Sequence, residues 1–291
     1  MTRSFTDWQR YGPKWCNAAV KCGGYFVAFG GVHPSNSTDY QVASVWDRST
    51  DTVEEYSLDP VTNGTYDSVQ LGCALTVGSV VYFSVKGKLG TLDPTTGVAT
   101  KVLTVGPYGF GPFIRVGNRL CGVGGYFDLS TLTGGSWFAS GAVNGMGTDG
   151  TRWFGLSSSA FAEFSTSTGA TLSTWSTPGL SPKGSSYQAM PHVGGVLWVG
   201  PVSTTVYGFN TTTNSVVTVA TTPAGFNYRS TNGWITLGGL LYDGTSASLV
   251  FDPATGQWAY DSLAMRDMTS PLFFDGSDMW AASGEPATWP I

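Results

Sequence analysis

An all-β fold assembled from repeated four-stranded sheets is predicted by three observations. A glycine-turn unit recurs seven times, a second turn unit recurs six times out of phase with it, and no amphipathic helical period runs anywhere along the 291 residues. The first unit sets a tight turn before three or four apolar or aromatic residues, a hairpin feeding an inner strand. Its copies are Cys22-Gly23-Gly24-Tyr25-Phe26-Val27, Val77-Gly78-Ser79-Val80-Val81-Tyr82, Val116-Gly117-Asn118-Arg119-Leu120-Cys121, Asp149-Gly150-Thr151-Arg152-Trp153-Phe154, Val193-Gly194-Gly195-Val196-Leu197-Trp198, Leu237-Gly238-Gly239-Leu240-Leu241-Tyr242 and Asp275-Gly276-Ser277-Asp278-Met279-Trp280. From Gly23 to Gly276 the intervals are 55, 39, 33, 44, 44 and 38 residues, about 42 on average. That is the period of one four-stranded blade, so the expected architecture is a single β-propeller over residues 1–291.

The second unit is a turn of the form Asp/Asn-x-x-Thr-Gly after a strand that ends in an aromatic or Leu. It begins at Asp47, Asp93, Asp128, Ser165, Asn210 and Asp252, with Thr133-Gly134 read as the close of the third copy. A short polar side chain at the first position accepts hydrogen bonds from amides ahead of it. Pro94 and Pro253 preset φ, and a terminal Gly or Asn accepts positive φ. Strands of β-formers with one-sided polarity follow, such as Thr52-Val53-Glu54-Glu55-Tyr56 and Val98-Ala99-Thr100-Lys101-Val102. These are hairpins between the outer strands of each blade.

Six second units against seven first units point to circular closure. A seventh outer turn would fall at about residue 294, past Ile291, whereas one period before Asp47 lies a lone strand-like segment, Arg3 to Arg10. The expectation is seven blades, with residues 271–291 giving the inner strands of the last blade and residues 1–10 its closing outer strand. Closure of this kind leaves no open sheet edge between first and last blades. Six blades with an appended tail is the alternative.

The first blade resembles the kelch type of β-propeller. The likeness is carried by Tyr25-Phe26-Val27-Ala28-Phe29-Gly30-Gly31, a separated Tyr40, and Val45-Trp46-Asp47 leading to Tyr56. In the sixth repeat Leu249-Val250-Phe251-Asp252 and Trp258 keep the outer half, while Tyr242-Asp243-Gly244 lacks the glycine doublet. Such a resemblance implies the fold and leaves the activity open, because propellers host binding modules, scaffolds and enzymes.

Charged residues are 11% of the chain, against roughly 25% in typical soluble proteins. With 14 Lys and Arg and a net charge of -5 there is no basic stripe, which argues against nucleic acid as a partner. The 40 glycines are spread along the chain, as frequent turns require. The four cysteines, Cys16, Cys22, Cys73 and Cys121, fall in or beside expected inner strands and read as small buried hydrophobes, with a Cys16–Cys22 disulfide as the other option. Residues 1–10 lack an apolar signal core, and no stretch is apolar for long enough to cross a membrane, so neither export signal nor membrane insertion is expected. The sequons at Asn36, Asn63 and Asn210 are accidental products of a Ser/Thr-rich chain.

Few residues suggest chemistry. With His33 and His192 as the two histidines, no histidine-rich metal site can be assembled, and no metal or cofactor is expected. His33 reads as a solvated loop residue and His192 as structural, with a channel-facing role as its alternative. Asp149-Gly150-Thr151-Arg152-Trp153 is similar to the Asp-box of sialidases, but its Asp and Gly are adjacent, and the chain has few inner-strand arginines to hold a substrate carboxylate. Glu54 and Glu55 are neighbours on one strand and point to opposite faces. No nucleophile elbow, P-loop or dinucleotide fingerprint occurs.

Binding is therefore expected in the connections. Those between second and third strands, and between successive blades, share one face and are read as the long ones: Gly31 to Tyr40, Asp59 to Ser68, Gly106 to Pro112, Pro178 to Gln188, Pro223 to Thr231 and Arg266 to Pro271. They carry Tyr66, Tyr108, Phe110, Tyr187, Phe226, Tyr228 and Arg229, a composition typical of interface anchors. The same rings folded inward would plug the channel mouth. The expected function is non-catalytic: a structural and recognition module of a virion, such as a bacteriophage tail or fibre, assembled in the host cytoplasm. Its partners would be other virion or scaffold proteins or a cell-surface glycan. A generic protein-interaction module, and a hydrolase or sugar-binding propeller with a site of scattered loop residues, are the alternatives.

Overall fold

The computed structural model describes residues 18–29, 42–62, 69, 73–85, 87–105, 110–137, 144–157, 160–177, 188–202, 205–221, 234–243, 249–260, 272–274 and 279–281. Seven sheets occur among them: five have four strands laid down in chain order, one has four such strands plus a fifth, and one has two. The first joins β1 (Ala18–Cys22), β2 (Tyr25–Phe29), β3 (Val42–Asp47) and β4 (Thr52–Ser57). The second joins β5 (Ala74–Val77), β6 (Val80–Val85), β7 (Lys88–Leu92) and β8 (Ala99–Thr104). The third comprises β9 (Phe113–Val116), β10 (Arg119–Gly122), β11 (Gly125–Asp128) and β12 (Thr133–Ser136). The fourth comprises β13 (Gly145–Thr148), β14 (Trp153–Leu156), β15 (Ala160–Phe164) and β16 (Thr171–Ser176). The chain continues through β17 (Gln188–Met190) into the fifth sheet, β18 (His192–Val193), β19 (Val196–Val202), β20 (Thr205–Asn210) and β21 (Ser215–Thr221). The sixth holds β22 (Trp234–Leu237), β23 (Leu240–Asp243), β24 (Leu249–Asp252) and β25 (Gln257–Tyr260), and the last pairs β26 (Leu272–Phe274) with β27 (Met279–Ala281).

All pairings within these sheets are antiparallel except one. β17 lies parallel to β13, Gly145 opposite Gln188 through Gly147 opposite Met190, so the innermost strand of one sheet touches that of the next. Gly147 makes the approach possible, since a Cβ there would stand 2.6 Å from the Met190 carbonyl oxygen.

The chain packs as two units, Met1–Thr104 with Met268–Ile291, and Val105–Asp267. In the first, Val27, Phe29, Ala43 and Val45 meet Val81, Phe83 and Val85 of the second sheet in one core. Phe26, Ala28 and Trp46 form another cluster on the opposite face of β2 and β3, and β26 lies against β1. In the other unit, Trp153 packs toward Val116 and Cys121, whereas its neighbours Phe154 and Leu156 pack toward Leu197 and Phe209. Second strands are thus buried on both faces, which is why they read as continuous apolar runs, while an outer strand such as β4 is exposed at four of its six residues.

Two expectations need correction. The connections between second and third strands are short in four sheets: two residues separate β6 from β7, β10 from β11 and β19 from β20, and three separate β14 from β15. Asp59 to Ser68 does not run wholly as open loop, because Asp59–Thr62 forms a one-turn helix, α1, whose Val61 and Thr62 are buried. Cys22, Cys73 and Cys121 are buried, as the reading of small buried hydrophobes expects, and Cys16 lies outside the described residues. The expected closing strand over 1–10, the doublet Gly30-Gly31, Tyr40 and His33 lie outside the described residues.

Candidate functional site

Within each complete sheet the turns joining first to second and third to fourth strands lie at one end. The outer turns there share one geometry. The side-chain oxygen of the first residue accepts the amide two residues on: Ser49 N to Asp47 at 2.8 Å, Thr95 N to Asp93 at 2.8 Å, Ser130 N to Asp128 at 2.9 Å, Ser167 N to Ser165 at 3.3 Å, Thr212 N to Asn210 at 2.9 Å and Ala254 N to Asp252 at 2.9 Å. Four residues beyond the first stands a left-handed residue: Asp51, Gly97, Leu132, Gly169, Asn214 or Gly256, with φ between 51° and 71°. The third turn therefore closes on Leu132, and not on Thr133-Gly134 as its spacing suggested. Hydroxyl donors hold three of the capping carboxyls below the usual range, from Ser49 to Asp47, Ser130 to Asp128 and Thr255 to Asp252.

Arg119 and Arg152 occupy the same place in successive sheets, the residue just before or at the start of the second strand. Each reaches the second residue of the next sheet's outer turn. Arg119 Nη1 donates to the Thr166 carbonyl at 2.8 Å and its Nε to Asp128 at 3.2 Å. Arg152 donates to the Thr211 carbonyl, to Asn214 Oδ1 at 2.9 Å and to Asp149 Oδ2 at 2.8 Å, and lies over the Phe154 ring. We expect Arg152→Ala to lower stability by about 2–3 kcal/mol, because a mostly buried carbonyl and a carboxylate both lose their donors. Arg152→Lys should recover little of this in urea unfolding, since one ammonium cannot span three acceptors.

Asp149 shows what its motif is for. Burial alone would raise its pKa, but the amides of Arg152 and Thr151 and the Arg152 guanidinium bring it down to about 2. Its folded pKa thus lies below the unfolded value of about 3.9. The resulting stabilisation is complete above about pH 4 and is lost as pH falls toward 2. Asp149→Asn should be less stable at pH 7 and show a shallower loss between pH 4 and 2 in acid titrations followed by circular dichroism. The segment is a capped turn between β13 and β14, not a sialidase-type site.

Other reactive groups are also accounted for. Burial pushes the Cys121 thiol up to about 12 and raises Cys22, so neither supplies a thiolate near neutral pH. Thr211 Oγ1 donates to the Gly195 carbonyl at 3.1 Å, so His192 Nε2, 3.1 Å from that hydroxyl, is the donor to it. Tyr56 donates to Glu54 and is raised to about 12 by that bond. Among the described residues, no three His, Cys, Asp or Glu side chains are grouped to hold a metal ion, and no helix is long and apolar enough to cross a membrane.

Of the residues expected to bind a partner, Tyr66, Tyr108, Tyr187, Phe226, Tyr228 and Arg229 lie outside the described residues. Phe110 is corrected: it is 0% exposed and meets Phe113 edge-on at 5.3 Å, so it belongs to the core. Sequence reading missed the aromatics that join sheets. Tyr56 in β4, Trp137 just past β12 and Trp175 in β16 stand at matching places after the outer turns, allowing for the register shift in the fourth sheet. Tyr56 covers Gly97, Trp137 covers Gly169, and Trp175 packs 4.6 Å from Phe209. Their spacing of nine or ten residues from Asp47, Asp128 and Ser165 was the available signal.

No protein-family model matches the chain, and no curated protein matches it. Solved structures do. BamB from Moraxella catarrhalis is 16% identical with a TM-score of 0.54, covering 97% of this chain and 84% of its own. The computationally designed Ika8 protein is 12% identical with a TM-score of 0.57, covering 94% and 95%. A chain of the mitotic checkpoint complex is 11% identical with a TM-score of 0.59, covering 97% and 93%. At these identities the likeness is one of fold, and with the repeated four-stranded sheets it makes this protein a β-propeller.

Proposed function

We propose that this chain is a non-catalytic recognition module that binds a protein partner through the ends of its blades where successive blades connect. The observation that carries this reading is the engagement of five aspartates in the turns. Asp47, Asp93, Asp128, Asp149 and Asp252 each hold amides of their own turns, and so serve the scaffold. The connections at the opposite end are where the sequence is expected to put Tyr66, Tyr108, Tyr187, Phe226, Tyr228 and Arg229. The mitotic checkpoint complex, by its name an assembly, offers a precedent for this fold among protein partners.

The finer reading is a kelch-like propeller of a virion, a bacteriophage tail or fibre component, whose partners are other particle proteins or a cell-surface glycan. Support comes from a composition poor in charge and rich in Gly, Ser and Thr. Copurification with intact particles tests it, and absence from particles defeats the virion role. Tyr108→Ala, Phe226→Ala and Tyr228→Ala should weaken attachment, by about tenfold or more at the best anchors, with Tm unchanged. Turnover on a glycoside, ester or lactone panel that one of these substitutions abolishes would replace the binding module with an enzyme.

A further inference from the structure

Between the fourth and fifth sheets the chain passes through one bridging segment, residues 188–193, that changes its partner partway. Its first three residues, β17, pair parallel with β13, from Gly145 opposite Gln188 to Gly147 opposite Met190. Its last two, β18, pair antiparallel with β19, His192 opposite Leu197 and Val193 opposite Val196. The change falls at Pro191, which has no N–H to continue a ladder and whose carbonyl accepts the Trp198 amide at 3.0 Å. Among the described residues, no other strand carries backbone pairing from one sheet toward the next.

We propose that residues 188–193 are a strap that makes the fourth and fifth sheets one conformational unit, opening and closing together, so that a load placed on either is shared by both. The strap is reinforced at two further places. Phe154 and Phe161 of the fourth sheet share a core with Met190 of the strap and with Leu197 and Phe209 of the fifth, and Phe209 lies 5.4 Å from Phe154, 5.2 Å from Phe161 and 4.6 Å from Trp175. At the turn end, Arg152 donates to the Thr211 carbonyl and to Asn214 Oδ1 at 2.9 Å. Parting the two sheets therefore breaks a backbone ladder, an aromatic core and a guanidinium anchor at once, and interactions that are lost together make opening cooperative. The third and fourth sheets, by contrast, are joined through side chains such as Arg119 and Trp137. The ladder depends on Gly147, where a Cβ would stand 2.6 Å from the Met190 carbonyl oxygen and 2.8 Å from the Leu197 side chain, so any larger residue pushes the strap away from β13. The proposal does not rest on the binding reading above.

The test is amide hydrogen exchange of the full chain, read by mass spectrometry at a pH high enough that an opened segment exchanges before it recloses. Peptides from β14, β15, β19 and β20 should gain mass in one correlated jump with a single rate constant, distinct from that of the first and second sheets. Gly147→Ala should split the jump in two, with the fifth sheet opening about tenfold or more faster than the fourth. Gly117→Val is the control: it strains a turn of the third sheet at φ 58°, with nothing within 4 Å of the new Cβ, and should leave the single jump intact. Separate rates for the two sheets in the unaltered chain overturn the proposal, as does one rate shared by every sheet, in which case the strap adds nothing. A jump left whole by Gly147→Ala, or split equally by Gly117→Val, also overturns it. Should Gly147→Ala fail to fold, Arg152→Ala reads the same junction from its turn end: a split jump supports the strap and a whole one overturns it.

Discussion

Replacing Phe110 with alanine is expected to lower stability by about 3–5 kcal/mol, the range for a large buried aromatic. The ring is fully enclosed and meets Phe113 edge-on. The backbone is held as well: Gly124 N donates to the Phe110 carbonyl at 3.3 Å, and a Cβ on Gly122 would stand 2.5 Å from the same oxygen. With both sides fixed, the site cannot collapse onto the cavity, which places the cost toward the upper end. Thermal unfolding should show a fall of roughly ten degrees. An unchanged midpoint would return Phe110 to the partner-contact set from which its burial removes it.

Gly169→Val should cost about 3–5 kcal/mol, and Gly117→Val only about 1–2. Both glycines have positive φ, 69° and 58°, so both variants strain the backbone. They differ in what the new side chain meets. Nothing lies within 4 Å of a Cβ at Gly117, whereas one at Gly169 would be 2.5 Å from the Trp137 ring. That ring cannot simply swing away. It stacks between Tyr126 at 4.9 Å and Trp153 at 5.5 Å, and its Nε1 donates to the Gly122 carbonyl at 2.9 Å. Urea unfolding of the pair separates strain from displacement, and equal losses would mean that Trp137 is no clamp.

Local chemistry made the blade repeat legible. Glycines that accept positive φ, Asx caps and runs of β-formers each act within a few residues, so their period survives in the linear order. Hence six glycine-turn units, from Gly23 to Gly238, and the six outer turns from Asp47 to Asp252 could be read from the linear order alone. The exposed Leu132 escaped the same reading because it takes a place that turn chemistry assigns to Gly or Asn, and Thr133-Gly134 beside it offered a better match to the pattern.

By itself the sequence determined the fold class, the strand order within each blade and the buried character of the second strands, because these follow from the repeat of about 42 residues and from the continuous apolar runs within it. Tertiary structure decided which side chains join one sheet to the next. Arg119, Arg152, Tyr56 and Trp137 look like ordinary surface or strand residues until the neighbouring turn is in place. Their partners, Thr166, Thr211, Gly97 and Gly169, are 47, 59, 41 and 32 positions away. Phe110 was misplaced for the same reason. Its loop position suggested a contact, while its burial depends on Gly122 and Phe113 closing over it, and pairing of that kind has no signature in a single chain read in order.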